Sequence, residues 1–143
     1  MKSIRKILFV MAALAAVFGF VACSNDDDEP STVAVYEWKY TWKEGDVECY
    51  SIYTVTFYDD NTYTVTSVYK DDEDSWNHTV QKGVYTGDPS KDGTIKMTAK
   101  KVDWGDNGEL IDVPEEDKEN YTDIEITISG GTATIDGDKY TKK

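Results

Sequence analysis

The sequence predicts an all-β fold, an antiparallel up-and-down β-barrel of about eight strands, and three observations lead there. From Val35 onward, apolar and polar residues alternate with period two over short segments, the spacing of half-buried strands. Clusters of Asp, Asn, Gly and Pro punctuate those segments at short, regular intervals. No connection has room for a crossover helix, so neighbouring strands must run antiparallel. Each segment has one apolar face. A closed barrel buries all of these faces at once and removes exposed edges, and a two-sheet sandwich is the alternative.

The first strand, Val35–Trp42, sets Tyr36, Trp38, Tyr40 and Trp42 on one face and Glu37, Lys39 and Thr41 on the other. The second, Val47–Tyr58, places Tyr53, Val55 and Phe57 opposite Thr54 and Thr56. Asp59, Asp60 and Asn61 supply the turn, because Asn and Asp tolerate the left-handed backbone of a tight hairpin. The return strand, Thr62–Tyr69, alternates Tyr63 and Val65 with Thr64 and Thr66.

After the acidic loop Asp71–Asp74, a less regular strand is expected over Asn77–Thr86, followed by the Pro- and Gly-containing loop Gly87–Gly93. Ile95, Met97 and Ala99 then alternate with polar residues. A weak strand over Glu109–Val113 stops at Pro114, and Glu115–Asn120 reads as a helical turn. Ile124, Ile126 and Ile128 mark the next strand. The turn "SGGT" leads to Ala133–Ile135, and "DGDKY" to a last strand around Tyr140.

Before this domain stands a segment of different character. Lys2, Arg5 and Lys6 precede the apolar run Ile7–Val21, which ends at Cys23 and the acidic stretch Asp26–Glu29. The run is shorter than the roughly 20 residues a spanning helix needs, so removal by a peptidase is expected. Phe20-Val21-Ala22-Cys23 resembles a bacterial lipobox, with Phe20 where an aliphatic residue is more familiar. That resemblance implies a signal peptide over 1–22, lipid attachment at Cys23, and anchoring in the outer membrane, where two or more acyl chains hold firmly. The alternative is an ordinary secretory signal with a coincidental cysteine. Residues 23–34 form an acidic tether in which like charges repel and Pro30 interrupts regular structure. It resembles the spacers of surface-exported lipoproteins.

The remaining domain, 35–143, is similar to the lipocalin-like, calycin-type lipoproteins of spirochaetes and Bacteroidetes. The likeness rests on "FYDDNTYT" (57–64), "KGVYTGDPSKDGTIKMT" (82–98) and "ISGGTATIDGDKYTKK" (128–143). It departs from true lipocalins in lacking a Gly-x-Trp ahead of Trp38 and in having no arginine after Arg5. The resemblance implies the barrel fold and, among functional residues, Cys23 alone; the expected role is binding without catalysis, of a small amphipathic molecule in the barrel mouth or of a component at the cell surface.

Charge narrows the partners. Without residues 1–22 the chain keeps twelve basic and twenty-eight acidic residues, a net charge of −16. Nucleic acid and anionic headgroups are repelled, and cationic proteins are attracted. Once Cys23 is acylated only Cys49 remains, so no intrachain disulfide is available, and the domain must be held by its core.

The inventory for catalysis is thin, and no enzyme activity is expected. His78 is the single histidine, and Cys49 lies in an apolar-alternating strand with no histidine near it in sequence. Asp103, Asn107 and Gly108 fall at calcium-loop positions, but Gly105 replaces one ligand and Pro114 stands where the bidentate glutamate belongs. An Asx-type turn is the expectation there, a solvated loop at Asp71–Asp74, and no metal or cofactor. Two matches to the N-glycosylation pattern, at Asn77 and Asn120, read as accidental in a bacterial lipoprotein. The aromatic residues are the remaining clue: ten tyrosines and four tryptophans stand beside one phenylalanine outside the signal, Phe57. Tyr and Trp combine an apolar body with a polar tip, which suits a ligand-lined mouth as well as a core. Trp38, Tyr40, Tyr53, Tyr63 and Trp104 are the candidate lining residues.

Overall fold

A computed structural model describes residues 29–105 and 107–143, of which Ser31–Lys143 forms one compact unit. The signal peptide, Cys23 and the first half of the tether, to residue 28, lie outside the described residues.

Nine strands follow in order among the described residues: β1 (Thr32–Glu44), β2 (Val47–Tyr58), β3 (Thr62–Lys70), β4 (Ser75–Thr86), β5 (Gly93–Val102), β6 (Ile111–Asp112), β7 (Ile124–Ser129), β8 (Thr132–Ile135) and β9 (Asp138–Lys142). Every pairing is antiparallel. Eight of the nine form a closed meander in which each strand pairs with the next, β4 pairs β5, and β9 returns to β1. The expected barrel is therefore the observed fold, and its architecture is compatible with a lipocalin-like one. The expected strand over Glu109–Val113 contracts to β6, two residues laid on the outer end of β5. Pro114 halts it on one side, and on the other the chain is committed to a loop built around Asp103. A 3-10 helix occupies Glu115–Tyr121.

Tight turns set the register. In β8–β9 both turn residues, Asp136 and Gly137, have positive φ (49° and 88°), the conformation that matches the right-handed twist of the flanking strands. Gly83 serves closure instead. It lies opposite Ala99 across β4 and β5, and a Cβ there would sit 2.1 Å from the Thr98 carbonyl oxygen.

The core fills one end of the barrel. Tyr36, Phe57, Tyr63, Ile95 and Ile126 are all at most 2% exposed and interlock with Val55, Tyr85, Met97 and Ile128. Phe57 meets the rings of Tyr36 and Tyr85 edge-on, at 6.2 and 5.0 Å between centroids. Buried phenols need partners, and they have them: Tyr36 donates to the Pro89 carbonyl and Tyr85 to that of Tyr58, each at 2.6 Å. The first of these bonds draws the β4–β5 loop over that end. A second cluster, Ala99, Val102 and Val113 with Tyr121 against it, seats the β5–β7 connection at the opposite end.

Candidate functional site

At the end away from the core the strands have unequal lengths, and this creates the site. β1 and β2 stay paired out to Glu44 and Val47, and β3 and β4 out to Lys70 and Ser75. β9 pairs with β1 only at Tyr36 and Glu37, and β5 leaves β4 after Val102. Four strands thus continue as a sheet beyond the closed circuit. Side chains alternate, so the face that is core lower down becomes the inner face of the extension.

That face carries a run of rings. Trp38 and Tyr40 are 6.2 Å apart with planes within 15° of parallel, and Tyr40 and Trp42 are 5.6 Å apart within 24°. Trp42 contacts Tyr69 on β3 at 5.6 Å, Tyr69 stacks on Trp76 of β4 at 4.0 Å, and Trp76 lies 6.3 Å from His78. Tyr53 joins at Trp38, 5.8 Å away. Most of these rings are half-buried, and Tyr40 is 55% exposed. The polar tips are held: Trp76 Nε1 donates to Ser67 Oγ, Trp42 Nε1 to Glu44, and the Tyr69 hydroxyl to Asp71 at 2.6 Å.

The run ends against a loop. Asp103 has no exposed side-chain surface, and its Oδ2 lies 3.2 Å from His78 Nε2. Its oxygens accept backbone N–H bonds from Gly105, Asn107 and Gly108. Burial alone would raise this carboxyl's pKa. Those N–H donors, with His78, outweigh it and hold the pKa below the ordinary value. Donors converging on Asp103 make this a loop that satisfies its own anion, the Asx-type arrangement, and commit the calcium-like oxygens internally.

Two further groups stand out among the described residues. Ligand oxygens of Glu44, Asp71 and Asp72 lie within 4.8 Å of one another. Asp71 is already engaged by Tyr69 and by the N–H groups of Glu73 and Asp74, and these hold its pKa below the usual range. Cys49 is 1% exposed, and burial, then the Glu44 carboxylate, raises its pKa, which leaves an unreactive thiol.

Of the five candidate lining residues, the structure brings Trp38, Tyr40 and Tyr53 together on the ring-lined face. Tyr63 lies in the core, 1% exposed, its hydroxyl accepting from Gln81 Nε2 at 2.5 Å. Trp104 stands apart on the Asp103 loop, edge-on to Tyr121 at 5.9 Å. Sequence reasoning missed Trp42, Tyr69, Trp76 and His78 as members. Trp42 shares the parity of Trp38 and Tyr40, a signal that was available. Trp76 and His78 reach the face only because the register shifts between Val65 and Thr66, leaving an extra residue on β4, and alternation alone does not show that.

The eleven buried residues of the main core pack against one another, and surface depressions of about 370, 470 and 300 Å³ among the described residues are lined by none of them. Compared with known protein families, curated proteins and solved structures, the chain matches none.

Proposed function

We propose that this chain is a lipid-anchored envelope protein of the lipocalin-like kind that binds, without catalysis, a small amphipathic molecule on the ring-lined face beyond its filled core. One observation carries the reading: seven rings, from Tyr53 through Trp38, Tyr40, Trp42, Tyr69 and Trp76 to His78, form an unbroken series on one sheet face with Tyr40 largely in solvent. Apolar ring bodies favour a hydrophobic ligand surface, and the indole and phenol tips favour polar groups at its margin. A shallow face of this sort holds part of a ligand rather than engulfing it. Attachment through Cys23 would keep the face at the membrane, in the outer leaflet of the envelope or exposed on the cell.

Native mass spectrometry of the whole chain, isolated from cells that produce it, tests this reading. Extra mass that is lost on denaturation, and lost also in Trp38→Ala and Tyr40→Ala but kept in the outward-facing Lys82→Ala, is the expected result. Equal native and denatured masses, or retention in the ring variants, would overturn it. Anchoring has its own test: Cys23→Ser should move the chain from the membrane to the soluble fraction.

A second reading follows from charge. With a formal net charge of −13 for the whole chain, and acidic groups at the Asp71–Asp74 loop and the 3-10 helix, the surface suits a cationic protein. Binding that weakens steeply with added salt is its signature, and salt-insensitive binding would count against it.

A further inference from the structure

At two of the places where a long strand outruns its neighbour, beside β4 and beside β1, the protein treats the gap differently. Where β4 outruns β5, its own chain fills the gap: the Asp103 N–H donates to the Val80 carbonyl at 2.8 Å, and the Asp103 loop folds against His78. Where β1 outruns β9, nothing among the described residues fills it. The two strands pair at Tyr36 with Lys142 and at Glu37 with Thr141, and then part.

The orientation of the main chain there is settled. The Val35 carbonyl accepts from the Lys143 N–H, so odd-numbered residues of β1 turn their backbone groups toward β9. Lys39, Thr41 and Lys43 therefore present unpaired N–H and C=O groups to the gap, and by the same alternation Lys139 does so from the far side. A depression of about 370 Å³ lies at this point, lined by Glu37, Trp38, Lys39, Lys139, Thr141 and the two lysines that end the chain. Glu37 is the one acidic side chain among these, and it is already paired with Lys143 at 2.7 Å. A strongly acidic protein thus has a locally basic slot with an open strand edge.

We infer that the slot between β1 and β9 takes an extended peptide segment as an added strand, with apolar side chains turned in toward Trp38 and Tyr40 and a carboxylate turned out between Lys39 and Lys139. Edge pairing supplies hydrogen bonds to any extended chain, and side-chain pockets choose among them. A second copy of β1 is a poor occupant, because Lys39 and Lys43 on each edge would face lysines of the other. This inference goes beyond the small-ligand reading and does not depend on it, since it rests on backbone groups and lysines rather than on the rings alone.

Fluorescence anisotropy with two labelled heptapeptides provides the test, one alternating valine with glutamate and the other valine with lysine. The protein's overall charge draws the lysine peptide, so preference for the glutamate peptide reads the slot and not the global field. The slot requires that preference to be at least about tenfold. Thr41→Pro should abolish binding, because it removes a donor facing the slot while β1–β2 pairing uses the even-numbered residues. The double variant Lys39→Glu with Lys139→Glu should reverse the preference, and it remains informative if Thr41→Pro fails to fold, as circular dichroism would show. Equal affinities, a preference for the lysine peptide, unchanged binding in a folded Thr41→Pro, or peptide-free dimerisation through β1 would each overturn the proposal.

Discussion

Tyr69 and Trp76 face each other across β3 and β4 with ring centroids 4.0 Å apart and planes 11° from parallel. Each is anchored by its polar tip, Tyr69 on Asp71 and Trp76 on Ser67, so the stack is held at both ends. It is the closest ring contact in the series and joins the tryptophans of β1 to His78.

Trp76→Ala should remove this stack and the half-buried indole together. Full burial of a Trp costs about 3–5 kcal/mol to lose, and half of that, about 2 kcal/mol, is expected here. Urea unfolding measures the loss, and near-ultraviolet circular dichroism should show the coupled ring signal disappear while the far-ultraviolet strand spectrum stays.

Phe57→Ala should be more damaging, because Phe57 is 1% exposed and holds Tyr36, Tyr63 and Tyr85 around it. The expected cost is about 3–5 kcal/mol, a large share of the roughly 5–15 kcal/mol that holds a domain folded. Val84→Ala is its control: Val84 neighbours the core in sequence but is 40% exposed, and its unfolding midpoint should barely move.

Gly83→Ala should prevent the β4–β5 seam from closing. The added methyl would lie 2.1 Å from a backbone oxygen and 2.9 Å from the Ala99 Cα, neither of which is a flexible side-chain end. Hydrogen exchange should show β4 and β5 lose protection first, whereas Lys82→Ala, one position earlier on the exposed face of β4, should leave that seam closed.

Acid should weaken the loops first. The pKa of Asp71 is held down by the Tyr69 hydroxyl and by N–H groups, and that of Asp88 by the Ser90 hydroxyl and N–H. A depressed folded pKa gives stability that is complete above the unfolded value of about 3.9 and is lost as pH falls through the folded one. Asp71→Asn should flatten the fall in unfolding midpoint below pH about 4.

At the alkaline end the sign reverses. Tyr63 and Tyr140, chiefly through burial, and Tyr69, chiefly through its bond to Asp71, are pushed up to about 12. Their contribution is complete below the ordinary tyrosine value of about 10 and is lost as pH rises through about 12. Phenolate absorbance of the folded protein should therefore include a late-titrating group that is lost after urea. Tyr69→Phe should remove one residue from the late group.

Alternation carried much of this protein in plain sight. The parity of Tyr36, Trp38, Tyr40 and Trp42, the hairpin at Asp59–Asn61 and the isoleucines of β7 specify strands, inner faces and an antiparallel meander, because side chains on a strand have only two directions to point. Half of the ring-lined face was legible for the same reason. Tyr63 shows the limit: its parity matches Tyr53, but depth along the barrel axis decides that one ring is core and the other is near the open face, and depth is not a property of parity.

Only the tertiary structure decided which strands outrun their neighbours. Strand length follows local sequence, but whether a residue's backbone finds a partner depends on what lies beside it after closure. Lys39, Thr41 and Lys43 read as ordinary outward positions until β9 parts from β1 beyond Glu37. In the same way Asp103 reads as a loop residue until the shifted register of β4 brings His78 to within 3.2 Å of it. The sequence by itself determined the strands and their faces, through short-range sterics and hydrophobic pattern. Closure of the circuit decided the stack, the His78–Asp103 contact and the slot, because each is made by residues that are distant in the chain and meet only when eight strands of unequal length share one barrel.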